Sequence, residues 1–101
     1  MSRQPEAIFG EKVDRDLRSE YGKDIWIENI QQVGKRGTPD RLICLKGKFI
    51  GLELKMEGGV IEPLQIVKLL EIKKAGGGAW VAYPSTWSLV FEEIKQAYGD
   101  I

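Results

Sequence analysis

The chain has 101 residues, enough for one modest hydrophobic core and too few for two. Its 43% hydrophobic and 30% charged residues are ordinary for a soluble globular protein, and fifteen basic residues balance fifteen acidic ones. There is no membrane-length apolar run and no signal-peptide core, and with no histidine and one cysteine, zinc fingers, internal disulfides and histidine-dependent triads are excluded.

Pro5 to Tyr21 reads as a helix, because Phe9, Val13 and Leu17 recur at intervals of four and Gly22 follows as a stop. Ile25-Trp26-Ile27 and Ile30 to Val33 are rich in β-branched and aromatic residues, which predicts one strand there. Lys35-Arg36-Gly37-Thr38 is a loop leading to Pro39, whose ring keeps Thr38 extended and helps set how Asp40 enters the next strand. A hairpin follows: Arg41 to Leu45, a turn at Lys46-Gly47-Lys48, and a returning strand from Phe49 to Lys55. Cys44, inside the apolar run Leu42 to Leu45, is expected to be a buried small hydrophobe rather than a reactive thiol.

Glu57-Gly58-Gly59 breaks the hairpin, and Pro63 suits the first turn of a helix running to about Ala75, with Leu64, Val67, Leu70, Leu69 and Ile72 facing inward. Gly76-Gly77-Gly78 ends it; a phosphate-cradling loop is the alternative, but these glycines follow a helix rather than precede one. Ala79 to Tyr83 is a strand, Pro84 ends it, and Ser85 caps a last helix reaching Tyr98. Trp87, Val90, Phe91, Ile94 and Tyr98 make a broad apolar stripe on that helix, which either covers the sheet or forms an interface. Trp26, Trp80 and Trp87 are too isolated for a base-stacking platform and read as core or interface anchors. The order αβββαβα predicts an α/β fold with a mixed sheet flanked by helices, in one domain spanning 1–101.

Side chains alternate along a strand, so Glu53 and Lys55 share one face while Leu52 and Leu54 share the other. Folding the hairpin about Gly47 brings Asp40 beside them. Two carboxylates and a lysine at one end of a ribbon can hold a divalent cation and a water next to a phosphate. Without histidine, such a cation must take oxygen ligands, which favours Mg²⁺, with Mn²⁺ substituting. Asp40 and Glu53 are its expected side-chain ligands, and Lys55 is placed to orient or deprotonate the water and offset negative charge. The alternative is a turn aspartate and a solvated Glu–Lys pair.

Gly37-x-Pro39-Asp40, the Glu53-x-Lys55 strand and Gln65 opening the next helix occur in the order found in one family. The chain resembles the VRR-NUC family of the PD-(D/E)xK nuclease superfamily. The resemblance implies a restriction-endonuclease-like fold and a third metal ligand in the backbone carbonyl of Leu54. It gives Gln65 a role in positioning the lysine or substrate. It also implies a metal-site glutamate in the first helix, with Glu6 the candidate and Glu11 the runner-up; helix-dipole stabilisation would explain either one equally. Glu62-Pro63 departs from the small polar cap usual before the Gln65 helix.

Lys35, Arg36 and Thr38 could touch the DNA backbone, with a plain solvated loop as the alternative. Arg41 also flanks the site, while the zero net charge is mildly unfavourable for a DNA enzyme. The function implied is a Mg²⁺-dependent DNA endonuclease, selective for structures such as four-way junctions, working as a cytoplasmic homodimer without membrane or nucleotide cofactor. A silent DNA-binding or protein-interaction module keeping the same fold is the competing reading.

Overall fold

The computed structural model describes residues 4–30 and 37–98. Helix α1 spans Pro5–Tyr21 and a 3-10 turn spans Gly22–Asp24. Strands β1 (Ile25–Asn29), β2 (Arg41–Leu45) and β3 (Lys48–Leu54) follow, then α2 (Pro63–Lys74), β4 (Gly78–Ala82) and α3 (Trp87–Tyr98). The four strands form one sheet in the order β1-β2-β3-β4. The first two pairings are antiparallel and β3–β4 is parallel, giving the mixed sheet flanked by helices that the element order predicts. The predicted strand extension from Ile30 to Val33 is not realised at Ile30, since β1 ends at Asn29, and its remainder lies outside the described residues.

Hairpin β2–β3 turns on Lys46 and Gly47, both at positive φ, so their twist matches that of the strands they join. This pairs Arg41 with Leu52 and Leu45 with Lys48, and it divides the sheet into two unlike faces. Ile43, Leu45, Ile50 and Leu52 point to the inner face. There they meet Phe9, Val13, Leu17 and Tyr21 of α1 and Trp87, Val90 and Ile94 of α3. Among the described helices, α2 is the one that covers the outer face, lying over β3 and β4.

Several expectations fail for one reason: α2 is narrow and its rotation is dictated by a polar contact. Gln65 reaches the sheet, so the inward stripe is Gln65, Leu69 and Ile72 at helical spacing. Leu64, Val67 and Leu70 are thereby turned outward and are 39%, 45% and 59% exposed. Among the described residues no helix reaches over the β1–β2 end of the outer face. Cys44 is therefore exposed, in a row with Trp26 and Phe49, because Ile43 and Leu45 take the inward positions.

The stripe on α3 covers the sheet: Trp87, Val90 and Ile94 are buried, and Phe91 and Tyr98 pack against the same core. It is not available as an interface. Ser85 does not cap α3. The helix starts at Trp87, the Thr86 carbonyl accepts the Val90 N–H, and the Ser85 N–H is taken by the Glu57 carboxylate at 2.7 Å. Trp87 is a core anchor and Trp80 is held at the sheet edge by Glu93 and Tyr98, whereas Trp26 stands open on the edge strand. Among the described residues, no helix is long and apolar enough to cross a membrane.

Candidate active site

Asp40 owes its position to the three residues before it. Gly37 has φ 85° and abuts the first turn of α2, where a Cβ would lie 2.8 Å from the Leu64 side chain and carbonyl. Neither the dihedral nor the space admits another residue comfortably. Pro39 is buried on the outer face, where its ring and Ile72 occupy the volume that a side chain on Gly51 would need. The Gly37-x-Pro39 pattern thus seats the chain over β3 just before β2 begins.

The consequence is a closed set of contacts. The Asp40 N–H donates to Glu53 Oε1 at 3.2 Å, and Asp40 Oδ2 accepts the Leu54 N–H at 2.9 Å. Gln65 Nε2 donates to Glu53 Oε2 at 2.5 Å. Its Oε1 accepts the Glu62 N–H at 2.9 Å, which closes a capping box at the start of α2. Glu62-Pro63 is therefore a working helix start, and one amide side chain both caps the helix and holds the glutamate. Lys55 Nζ stands 3.9 Å from Glu53 Oε2 with its side chain 21% exposed. Asp40, Glu53, Lys55 and Gln65 are brought together, with Gln65 bonded to Glu53 rather than to Lys55.

Glu53 is 2% exposed. Burial, and then the neighbouring Asp40 carboxylate, push its pKa from 4.5 up to about 7, against the opposing pull of Lys55. A buried carboxylate beside a second one is short of positive charge. The Lys55 N–H turns to the Ala82 carbonyl on β4 while the Leu54 N–H turns the other way, to Asp40. Because N–H and C=O of one strand residue point the same way, the Leu54 carbonyl also faces the Asp40 side. Two carboxylates, one carbonyl and coordinated waters form a donor set that suits Mg²⁺ or Mn²⁺.

A cleft of about 560 Å³ opens between α1 and this end of the sheet, and Asp40, Leu54, Glu6 and Glu11 all line it. Both candidate glutamates of α1 thus face the cleft, and geometry does not choose between them. Among the described residues no three carboxylates converge closely enough to hold an ion alone, so Asp40 and Glu53 stand as a pair. Thr38 lines a separate hollow on the outer face with Pro39 and Phe49. Lys35 and Arg36 lie outside the described residues.

Arg41 is not a free phosphate contact. It points to the inner face, 6% exposed, and its guanidinium is engaged by Asp14 and Asn29. That network escaped the sequence reading. Its one trace was a polar row in α1, Gly10 and Asp14, each one position beyond the apolar residues Phe9 and Val13.

No family model matches the chain and no curated protein sequence matches it. A solved structure of a VRR_NUC domain is similar to it, with a TM-score of 0.60 over 81% of this chain and 92% of that one, at 20% identity. The chain therefore has the restriction-endonuclease-like fold of a VRR_NUC domain.

Proposed function

We propose that the whole chain is one nuclease domain of the VRR-NUC type, a Mg²⁺-dependent endodeoxyribonuclease that also accepts Mn²⁺. The observation that carries this reading is the cluster at the start of β2 and end of β3: Asp40 bonded to Leu54 and Glu53, and Glu53 bonded to Gln65 beside Lys55. Asp40, Glu53 and the Leu54 carbonyl would hold the cation, with Glu6 or Glu11 of α1, which line the same cleft, as the further candidate ligand. The cation, when bound, supplies Lewis acidity at the phosphate and acidifies a water.

The protein's own groups do the rest. Gln65 fixes the rotamer of Glu53 and so the distance between the two carboxylates. Lys55, part-exposed on the same face as Glu53, orients the attacking water, takes or shares its proton, and offsets the charge that develops on the phosphate. Thr38, with Lys35 and Arg36, contacts the DNA backbone beside the scissile bond.

One site cuts one strand per encounter, so paired cutting of a two-fold-symmetric substrate such as a four-way junction requires a C2 dimer. Since α3 is used within the chain, the outward row Leu64, Val67 and Leu70 of α2 is one exposed apolar surface that can make that contact.

Cleavage of plasmid, linear duplex, flap and four-way-junction DNA with Mg²⁺, Mn²⁺ or EDTA tests the reading. Metal-dependent nicking that disappears in Asp40→Ala is expected. Equal cleavage in EDTA would overturn the metal-dependent reading, and no cleavage under any condition would leave a DNA-binding or interaction module with a nuclease fold.

A further inference from the structure

Arg41 is a buried arginine whose side chain the proposed chemistry does not use. Its Nε and Nη2 donate in parallel to the two oxygens of Asp14 at 2.9 and 3.2 Å, the fork geometry of a bidentate pair. Nη1 donates to Asn29 Oδ1 at 2.9 Å and leans on the Asp40 carbonyl at 3.4 Å. The guanidinium thus joins α1, β1 and the peptide of the candidate metal ligand. Gly10, one turn before Asp14 on α1, makes this possible: a Cβ there would sit 2.5 Å from Nη2. A helix interior disfavours glycine relative to alanine, so Gly10 is explained by the space that Arg41 takes.

A buried ion pair is weak evidence for stability, because desolvating both charges offsets much of their attraction. Its geometric demand is strict, however, and here both ends of the pair lead to the cleft. Asp14 lies on the α1 face that carries Gly10 toward the cleft, where Glu6 and Glu11 also stand. Arg41 directly follows Asp40.

Resting on the nuclease reading above, we infer that the Arg41–Asp14 pair is a positioning device for the metal site. It sets the seat of α1 against the sheet and fixes the Asp40 peptide, so that the Asp40 carboxylate keeps its bond to the Leu54 N–H beside the Leu54 carbonyl. Partners that orient metal ligands from behind typically govern metal affinity and activity by about ten- to a hundredfold.

The test uses the whole chain in four variants: Arg41→Lys, Asp14→Asn, Asn29→Ala, and the double variant Asp14→Leu/Arg41→Met. Lysine keeps the charge but not the fork. The double variant replaces the pair by apolar side chains of similar volume, which commonly keeps or raises Tm. Asn29 is exposed on the edge strand, so its variant folds even if the others do not.

Calorimetric titration with Mn²⁺ alone, amide hydrogen exchange of Leu54 in metal-free protein, and kcat and KM on nicked-product assays are read together. The expected result is Mn²⁺ binding weakened about ten- to a hundredfold in Arg41→Lys and in the double variant. kcat falls in parallel while KM for DNA stays within about twofold, and Leu54 exchange is faster. Asn29→Ala shows the same pattern at a few-fold. Wild-type Mn²⁺ affinity, kcat and Leu54 protection in the folded variants would overturn the positioning role and leave the nuclease reading standing. A wild-type protein that neither binds Mn²⁺ nor cuts DNA would remove both.

Discussion

The two faces of the sheet each hold a buried charged residue at the same end, and they treat it oppositely. On the inner face Arg41 is matched by Asp14 and Asn29, where α1 and β1 meet at the edge of the cleft. On the outer face Glu53 is bonded to Gln65 and the Asp40 N–H, crowded by the Asp40 carboxylate, and only distantly offset by Lys55. The inner face is satisfied, the outer face is poised. Binding sites are often left electrostatically incomplete in this way, because the ligand completes them.

The sharpest way to break the comparison is to show that the outer cluster is structural. Asp40→Ala and Lys55→Ala should each lower cleavage by about 10²- to 10³-fold, the usual cost of losing one preorganised charge-stabilising group. Tm should stay close to wild type, because both side chains are part-exposed. Quantified nicking beside thermal melts decides it. A large fall in Tm with normal cleavage would reverse the assignment of the two faces.

The inner face should respond the other way. Ile43 is fully buried between α1 and α3, so Ile43→Ala should cost about 2–5 kcal/mol of stability, from lost burial plus the cavity left behind. Urea unfolding measures this. Cleavage per folded molecule should be unchanged, since Ile43 points away from Glu53 and Gln65. An Ile43→Ala protein that keeps full stability but loses activity would mean that the core and site are not separable.

The division between the faces also explains what could be read in the sequence. Phe9, Val13 and Leu17 at helical spacing made the α1 side of the inner face legible, because burying apolar side chains imposes a period. Gly37-x-Pro39-Asp40 and Glu53-x-Lys55 made the site legible, because each motif residue has a steric or chemical reason to be that residue. Periodicity failed on α2. There a single amide, Gln65 to Glu53, sets the helix rotation and overrides the apolar row of Leu64, Val67 and Leu70. Cys44 was misread for a related reason: an apolar run does not reveal that one face of its strand is left exposed by the described helices. Asp14 and Gly10 form only a short row beside the apolar stripe of α1, and their meaning depends on a partner far along the chain.

Titration should separate the faces further. Glu53 has a pKa of about 7 in the fold against 4.5 when unperturbed, which corresponds to roughly 3 kcal/mol. Between those values the folded state holds a proton that the unfolded state has released. The stability associated with Glu53 is thus fully present below pH 4.5 and is lost as pH rises through about 7. Glu53→Gln should flatten that dependence, melting as wild type does near pH 4 and higher than wild type at pH 8. Mg²⁺ or Mn²⁺, binding the ionised carboxylate, should release a proton near pH 6 and restore wild-type stability above neutrality. A Glu53→Gln profile parallel to wild type would show that the buried carboxyl is already compensated.

The smallest effect on the monomer is expected on the solvent side of α2. Leu70 is 59% exposed on α2, so Leu70→Lys removes little buried area and should change monomer stability by no more than about 0.5 kcal/mol. Val67→Lys, beside it and 45% exposed, should behave alike. The informative reading is mass, not Tm. If two copies meet through this row, each lysine would be forced against its symmetry mate's surface, and the repeated charge should shift sedimentation from dimer to monomer. Junction cleavage would then change from paired cuts to independent nicks, with the rate of each nick preserved because Asp40, Glu53 and Lys55 are untouched. A wild-type chain that is already monomeric at micromolar concentration would reassign the row. Its exposure would then be what remains when a helix is rotated to deliver Gln65 to Glu53.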